Sequence, residues 1–154
     1  YYISVGKAGT AKATEGDQRT PLGVYYITSN LDPKSLKDFY GSGALPISYP
    51  NMLDSKRGKT GSGIWLHGTP PNQFSRPPQA TDGCVVLANP DLDRIIRTVE
   101  VRTTPVVITQ NLRWVAPGAT EAEQRCDQRD DEEHDRVMQH GDLLESGAMH
   151  RGPV

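Results

Sequence analysis

The heptapeptide TDGCVVL, Thr81 to Leu87, puts one of only two cysteines in the 154-residue chain directly behind a glycine and directly ahead of an aliphatic run. Val85, Val86 and Leu87 have the all-apolar, β-branched character of a buried strand. Thr81, Asp82 and Gly83 are turn chemistry. Cys84 therefore stands where a loop feeds into a strand, a position from which a rigid scaffold can present a side chain to a cleft. Cysteine is also among the most buried residue types, so an inert structural thiol fits the same place. The stretch alone leaves both readings open.

Upstream, GIWLHG (63–68) is a second short apolar strand, and it ends on His67. A free thiol is mostly protonated at neutral pH and needs a base before it can attack a carbonyl. Imidazole suits that task, because it can take the thiol proton and later return it to a leaving amine. Gly83 lets backbone approach a substrate closely, and its N–H with that of Cys84 is suited to a developing oxyanion. Trp65, alternating with Leu66, is expected in the core or on a cleft wall. Asp17, in EGDQRTP, reads as an Asx-type cap of its own turn rather than as a catalytic acid. Cys126, His134, His140 and His150 lack short metal-ligand spacing, so neither a metal nor any other cofactor is called for.

The rest of the body reads as strands divided by turns. YYISVG (1–6), GVYYITS (23–29), LPISYP (45–50) and TPVVITQ (104–110) are the further strand candidates. Pro105 marks a strand start or an edge, and Tyr25 and Tyr26 should straddle their sheet, one in and one out. DPKSLKDFYGSG (32–43) reads as a short helix or a loop closed by glycines. NPDLDRIIRTVE (89–100) is the best helix, with Asn89 as cap, Pro90 in the first turn, and Leu92, Ile95, Ile96 and Val99 on one face. The expectation is a mostly β, sandwich-like domain with one or two short helices.

Composition narrows the class further. No apolar run approaches the length of a membrane span, and two cysteines make no disulfide framework. Residues 1–118 hold 13 Lys+Arg against 9 Asp+Glu, whereas residues 119–154 hold 4 against 10. A mildly basic body thus carries an acidic tail, and the body's charges are too scattered to indicate nucleic acid binding. The tail, 116–154, has few aliphatics and no aromatics, and reads as disordered or loosely helical. The opening YYISV looks like a strand already under way. It is read as a processed or trimmed start, so the lack of an export signal says nothing about location.

Three segments in order, KATEGDQRTPLGVYYI (12–27), IWLHGTP (64–70) and TDGCVVL (81–87), carry a resemblance to the L,D-transpeptidase (YkuD-type) catalytic domain. That family shows a G-D-x-x-T-P-x-G-x-Y/F turn before a strand, an H-G-T segment, and an S/T-x-G-C motif before an aliphatic run. The resemblance covers residues 1–115, with the family's first strand expected to be missing, and leaves 116–154 unplaced. It implies an exported, periplasmic or cell-envelope cysteine acyltransferase whose partners are peptidoglycan stem peptides.

On that resemblance Cys84 attacks the diamino acid at the third stem position and expels the terminal D-alanine. A side-chain amine of a second stem then takes the acyl group, making a 3–3 cross-link; a protein lysine would give anchoring. His67 is implied as the base, oriented by the Gly68 carbonyl, and Thr81 as a substrate-side residue in place of the family's common Ser. Water as acceptor would make a carboxypeptidase or hydrolase on the same scaffold. A non-catalytic wall-binding module is the remaining alternative, because two positions depart from the pattern. Asp82 stands where many members have His or Arg, and a carboxylate there disfavours a thiolate. Val86 stands where many have an Arg that grips a substrate carboxylate, and Arg76 is the candidate substitute.

Overall fold

A computed structural model of the chain describes residues 1–114. Runs of β-branched and aromatic residues between Gly/Pro turns become strands β1 (Ile3–Gly6), β2 (Gly23–Tyr26), β3 (Ala44–Pro46), β4 (Trp65–His67), β5 (Gln79–Thr81), β6 (Val85–Leu87) and β7 (Pro105–Ile108). Two α-helices, α1 (Met52–Lys56) and α2 (Asn89–Thr98), and two 3-10 turns, Pro33–Ser35 and Asp38–Tyr40, complete the described elements.

Five strands form one sheet in the order β3-β4-β6-β1-β5, and β2 pairs with β7 in a two-stranded sheet. Strand β6 lies at the centre of the larger sheet and all three of its residues are buried. That burial on both faces is why VVL is an unbroken apolar run rather than an alternating one. It runs parallel to β4, with Leu66 opposite Val85 and His67 opposite Val86, and antiparallel to β1. The C-terminal end of β4 and the residue entering β6 are thereby set on neighbouring strands.

The core has two connected parts. Ile27, Leu45, Val85, Leu87 and Leu92 form one, and Ile95, Ile96 and Val99 of α2 pack against it. The apolar face expected of that helix is thus the face it buries. Tyr25, Ile47, Tyr49 and Ile64 form the second, and Val106 and Ile108 of β7 touch both. Tyr25 is fully buried and Tyr26 exposed, as strand alternation requires.

Several elements differ from the expectation. Helix α1 was not foreseen, because Met52 and Leu53 face solvent and no apolar period announces it. It stands on a capping box in which Asn51 and Asp54 satisfy each other's backbone N–H. Strand β5, Gln79-Ala-Thr81, has no β-branched run and exists because β1 pairs with it. Asn89 does not cap α2. Ala88 is the N-cap, and the Asn89 side chain is used elsewhere. The segment 32–43 resolves into the two 3-10 turns. The acidic tail from 116, with Cys126 and its three histidines, lies outside the described residues.

Candidate active site

The turn that delivers Cys84 is held from inside and from below. Thr81 Oγ1 donates to the Cys84 carbonyl at 2.7 Å and accepts the Gly83 N–H at 3.1 Å. Underneath, buried Thr20 donates through Oγ1 to the Gly83 carbonyl at 2.9 Å and accepts the Gly6 N–H at 2.9 Å. Gly83 has φ +130°, and a Cβ there would stand 2.8 Å from the Arg19 carbonyl oxygen. Only glycine fits both constraints. Thr81, expected on the substrate side, is 4% exposed, and its hydroxyl is engaged twice within its own turn. The Gly83 N–H, expected at an oxyanion, is committed to that hydroxyl.

Below this turn, the T-P segment is anchored by Asp17. Its carboxylate accepts N–H groups from Ala13, Thr14 and Arg19 and pairs with Lys12 Nζ at 2.8 Å. Burial would push its pKa up, but the Lys12 charge and the three N–H donors outweigh it and hold the group well below the usual carboxylate range. Asp17 is a backbone cap, as its place in the turn indicated.

His67 ends β4 and is 2% exposed. Its Nδ1 lies 2.7 Å from the Gly68 carbonyl oxygen, which can only accept, so Nδ1 carries the proton and Nε2 keeps its lone pair. Burial pulls the imidazole pKa down to about 4; the Gly68 bond opposes this and the positive charge of Arg76 adds to it. The ring is therefore neutral near pH 7. The Gly68 position is fixed by Asn89, whose Oδ1 accepts N–H groups from Ser42 (3.1 Å) and Thr69 (3.0 Å) while Nδ2 donates to the Thr69 carbonyl at 3.0 Å. A Cβ on Gly68 would collide with Asn89 Oδ1.

Cys84 is partly exposed. Val86, two residues on, pairs with His67 across β4 and β6, so alternation carried back one step sets Cys84 on the His67 side of the neighbouring strand. Its Sγ–H donates to the Gly63 carbonyl at 3.5 Å. Burial raises the thiol pKa, the backbone N–H of Trp65 directed at the sulfur lowers it, the Asp82 carboxylate raises it and Arg76 lowers it. The net shift is upward, so the resting pair is neutral thiol and neutral imidazole. Asp82 itself projects to solvent, 76% exposed, and pairs with Lys7 at 2.9 Å.

Aromatic rings wall the site, and of these sequence reasoning singled out Trp65 but not Phe39 or Tyr40. The Tyr40 ring stands edge-on to His67 at 5.1 Å and against Trp65 at 5.0 Å, and Phe39 lies 5.7 Å from His67. Trp65 is thus cleft wall, within what was expected. Two adjacent aromatics in the polar loop DFYGSG were the available signal. Arg76 lies with its guanidinium 4.5 Å over the Phe39 ring, beside a cavity of about 430 Å³. Its charge acts on both His67 and Cys84. Val86, 2% exposed, is part of the core.

Residues 1–108 match the L,D-transpeptidase catalytic domain family, YkuD. Among solved structures, the helical cell shape determining protein Pgp2 from Campylobacter jejuni superposes with a TM-score of 0.63 at 34% identity, over 74% of this chain and 39% of that one. Bd1075 from Bdellovibrio bacteriovorus gives a TM-score of 0.61 at 29% identity, over 86% of this chain and 46% of that one. The chain thus spans less than half the length of either. No curated protein matches it.

Proposed function

The chain belongs to the YkuD family of L,D-transpeptidase catalytic domains, and from that premise we propose that it is a peptidoglycan L,D-transpeptidase working through a thioester on Cys84. The observation that carries this reading is a neutral His67, tethered at Nδ1 by Gly68, on the strand adjoining the one that Cys84 enters. A base that is already deprotonated at neutral pH can accept the thiol proton when a carbonyl arrives.

In the first step the Cys84 proton passes to His67 Nε2 and the sulfur bonds to the carbonyl carbon of the third, diamino-acid residue of a stem. The Cys84 N–H meets the oxyanion, because the Gly83 N–H serves Thr81. Thr81 and Gly83 are positioning residues in this scheme: they set the turn on which the sulfur and that N–H sit. The C–N bond then breaks, and His67 returns the proton to the departing amine of D-alanine. In the second step the side-chain amine of another stem attacks the thioester and gives a proton to His67. The C–S bond breaks and the thiol is restored, leaving a 3–3 cross-link; a protein lysine as acceptor would give anchoring. Trp65, Tyr40 and Phe39 shield the imidazole from water on one side.

Such a reaction belongs in the cell envelope, and the likeness to a protein that determines helical cell shape supports a role in wall organisation. Incubation with a purified tetrapeptide stem, followed by mass spectrometry, tests it. A dimer lacking one D-alanine is expected, absent in Cys84→Ala. Release of tripeptide alone would replace the transpeptidase with a carboxypeptidase, and unchanged peptide would leave a wall-binding module.

A further inference from the structure

The carboxylate of Asp82 stands beside the nucleophile without a structural task. It sits at the tip of the turn from Thr81 to Cys84, which is closed by the Thr81 hydroxyl and supported by Thr20, so the turn does not use the Asp82 side chain. That side chain is 76% exposed. Its Oδ1 accepts from Lys7 Nζ at 2.9 Å and from Gln18 Nε2 at 3.4 Å, both contacts lying in solvent. Among the described residues nothing donates to its Oδ2. An ion pair so open to water contributes little to stability.

For the first half of the reaction this charge is a hindrance. Two residues of chain span at most ~7 Å, and at such range a carboxylate opposes a thiolate on Cys84. The opposition ends once the sulfur is acylated, because a thioester carries no charge, whereas the attraction for a cation persists. An alkyl amine is an ammonium at neutral pH, so the second substrate reaches the thioester as a cation. The surroundings divide accordingly. On the β4 side of β6 stand the neutral His67 and its aromatic wall. On the β1 side stand Asp82, Gln18 and Lys7, the last tied by its N–H to the Thr81 carbonyl at 2.7 Å. The polar side is the one an ammonium can approach without giving up its hydration.

We propose that Asp82 selects the acceptor: its carboxylate captures the ammonium of the incoming amine on the β1 side of the acylated Cys84, and so favours transfer to a cationic amine over hydrolysis. The inference deepens the acyl-transfer reading and rests on it. In the captured state the ammonium takes the open oxygen Oδ2, with Lys7 as the competing cation. It releases one proton to solvent as it leaves for the thioester. Its nitrogen then bonds to the carbonyl carbon, and a second proton passes to His67 Nε2. The C–S bond breaks, and His67 returns that proton to the sulfur.

The fate of the thioester tests this. The full chain is given a tetrapeptide stem, which serves as donor and as cationic acceptor, with hydroxylamine present as an acceptor uncharged at neutral pH. Mass spectrometry weighs dimer, hydroxamate and the tripeptide released by water, and the acid-trapped Cys84 thioester gives the acylation rate. Asp82→Asn should lower the ratio of dimer to tripeptide roughly 3- to 10-fold, the worth of one charge pair in water. It should leave the ratio of hydroxamate to tripeptide in place and quicken acylation. Asp82→Glu should restore the dimer, and Lys7→Gln, which removes the competing cation, should raise it. Added salt should lower the dimer ratio in the unaltered chain but not in Asp82→Asn. Thermal melts establish that each variant is folded. Equal dimer ratios in the unaltered chain and Asp82→Asn, a parallel loss of hydroxamate, or slower acylation overturns the inference and leaves the thioester chemistry standing. Tripeptide without dimer from the unaltered chain overturns it too, in favour of a carboxypeptidase. No thioester at all removes the acyl-transfer reading and the inference with it.

Discussion

At the scale of single residues the site turns on how one imidazole is kept neutral. Burial holds His67 near pKa about 4, against an ordinary value of 6.5. The unfolded imidazole takes its proton below about 6.5 and the folded one only below about 4, so between these values the unfolded state binds more protons. Stability should therefore be complete above pH 6.5 and fall on acidification towards 4, by an amount on the order of 3 kcal/mol. Denaturant melts across that range check this, and His67→Gln should flatten the slope. Acylation of Cys84 should likewise keep its rate from neutrality down to about pH 5, where an ordinary histidine base would already be protonated. Mass spectrometry after incubation with a carbapenem should find one adduct, on Cys84, and His67→Ala should slow it roughly 10²- to 10⁴-fold. Adducts on Cys126 with Cys84 untouched would argue for the binding module.

Elements, rather than residues, hold that chemistry in register. The turn over 13–20 carries Thr20 under the cysteine loop, and it depends on the pair of Lys12, 3% exposed, with Asp17. Asp17→Ala would strand a buried ammonium and leave three N–H groups without their acceptor. It should cost about 3–5 kcal/mol in a chemical melt, and a loss below 1 kcal/mol would show that the turn does not depend on the pair. The start of α2 works in a similar way, through Asn89 on the backbone of residues 42 and 69. Asn89→Ala should lower the acylation rate more than Asn89→Asp, which keeps the acceptor oxygen that both N–H groups use.

For the molecule as a whole, the proposed catalytic and positioning groups fall between Lys12 and Asn89, and among the described residues the core ends at Ile108. A chain cut after residue 114 should form the Cys84 thioester with kcat/KM within about twofold of the full chain, measured by the same mass assay; loss of acylation would mean that 115–154 contributes to the site. The five-stranded sheet explains the need for so much intervening chain. Strands β4 and β6 are neighbours in space, while the loop between them returns through β5 to the far edge of the sheet and brings Arg76 with it.

Local chemistry was written plainly in the residues. An apolar run after Asp-Gly-Cys had to become a buried strand, EGDQRTP had to turn, and Leu92, Ile95, Ile96 and Val99 had to face a core, because each depends only on near neighbours and on the period of the backbone. The mostly β class and the prominence of Cys84 and His67 followed from that. What tertiary structure decided was the company these residues keep. Asn89 left its expected helix cap to bridge two loops, Thr81 spent its hydroxyl on its own turn, Phe39 and Tyr40 became a wall around the imidazole, and Arg76 came to rest on a ring 37 positions away. Such contacts are set by sheet order and loop closure, which join residues far apart in the chain and leave no periodic mark along it.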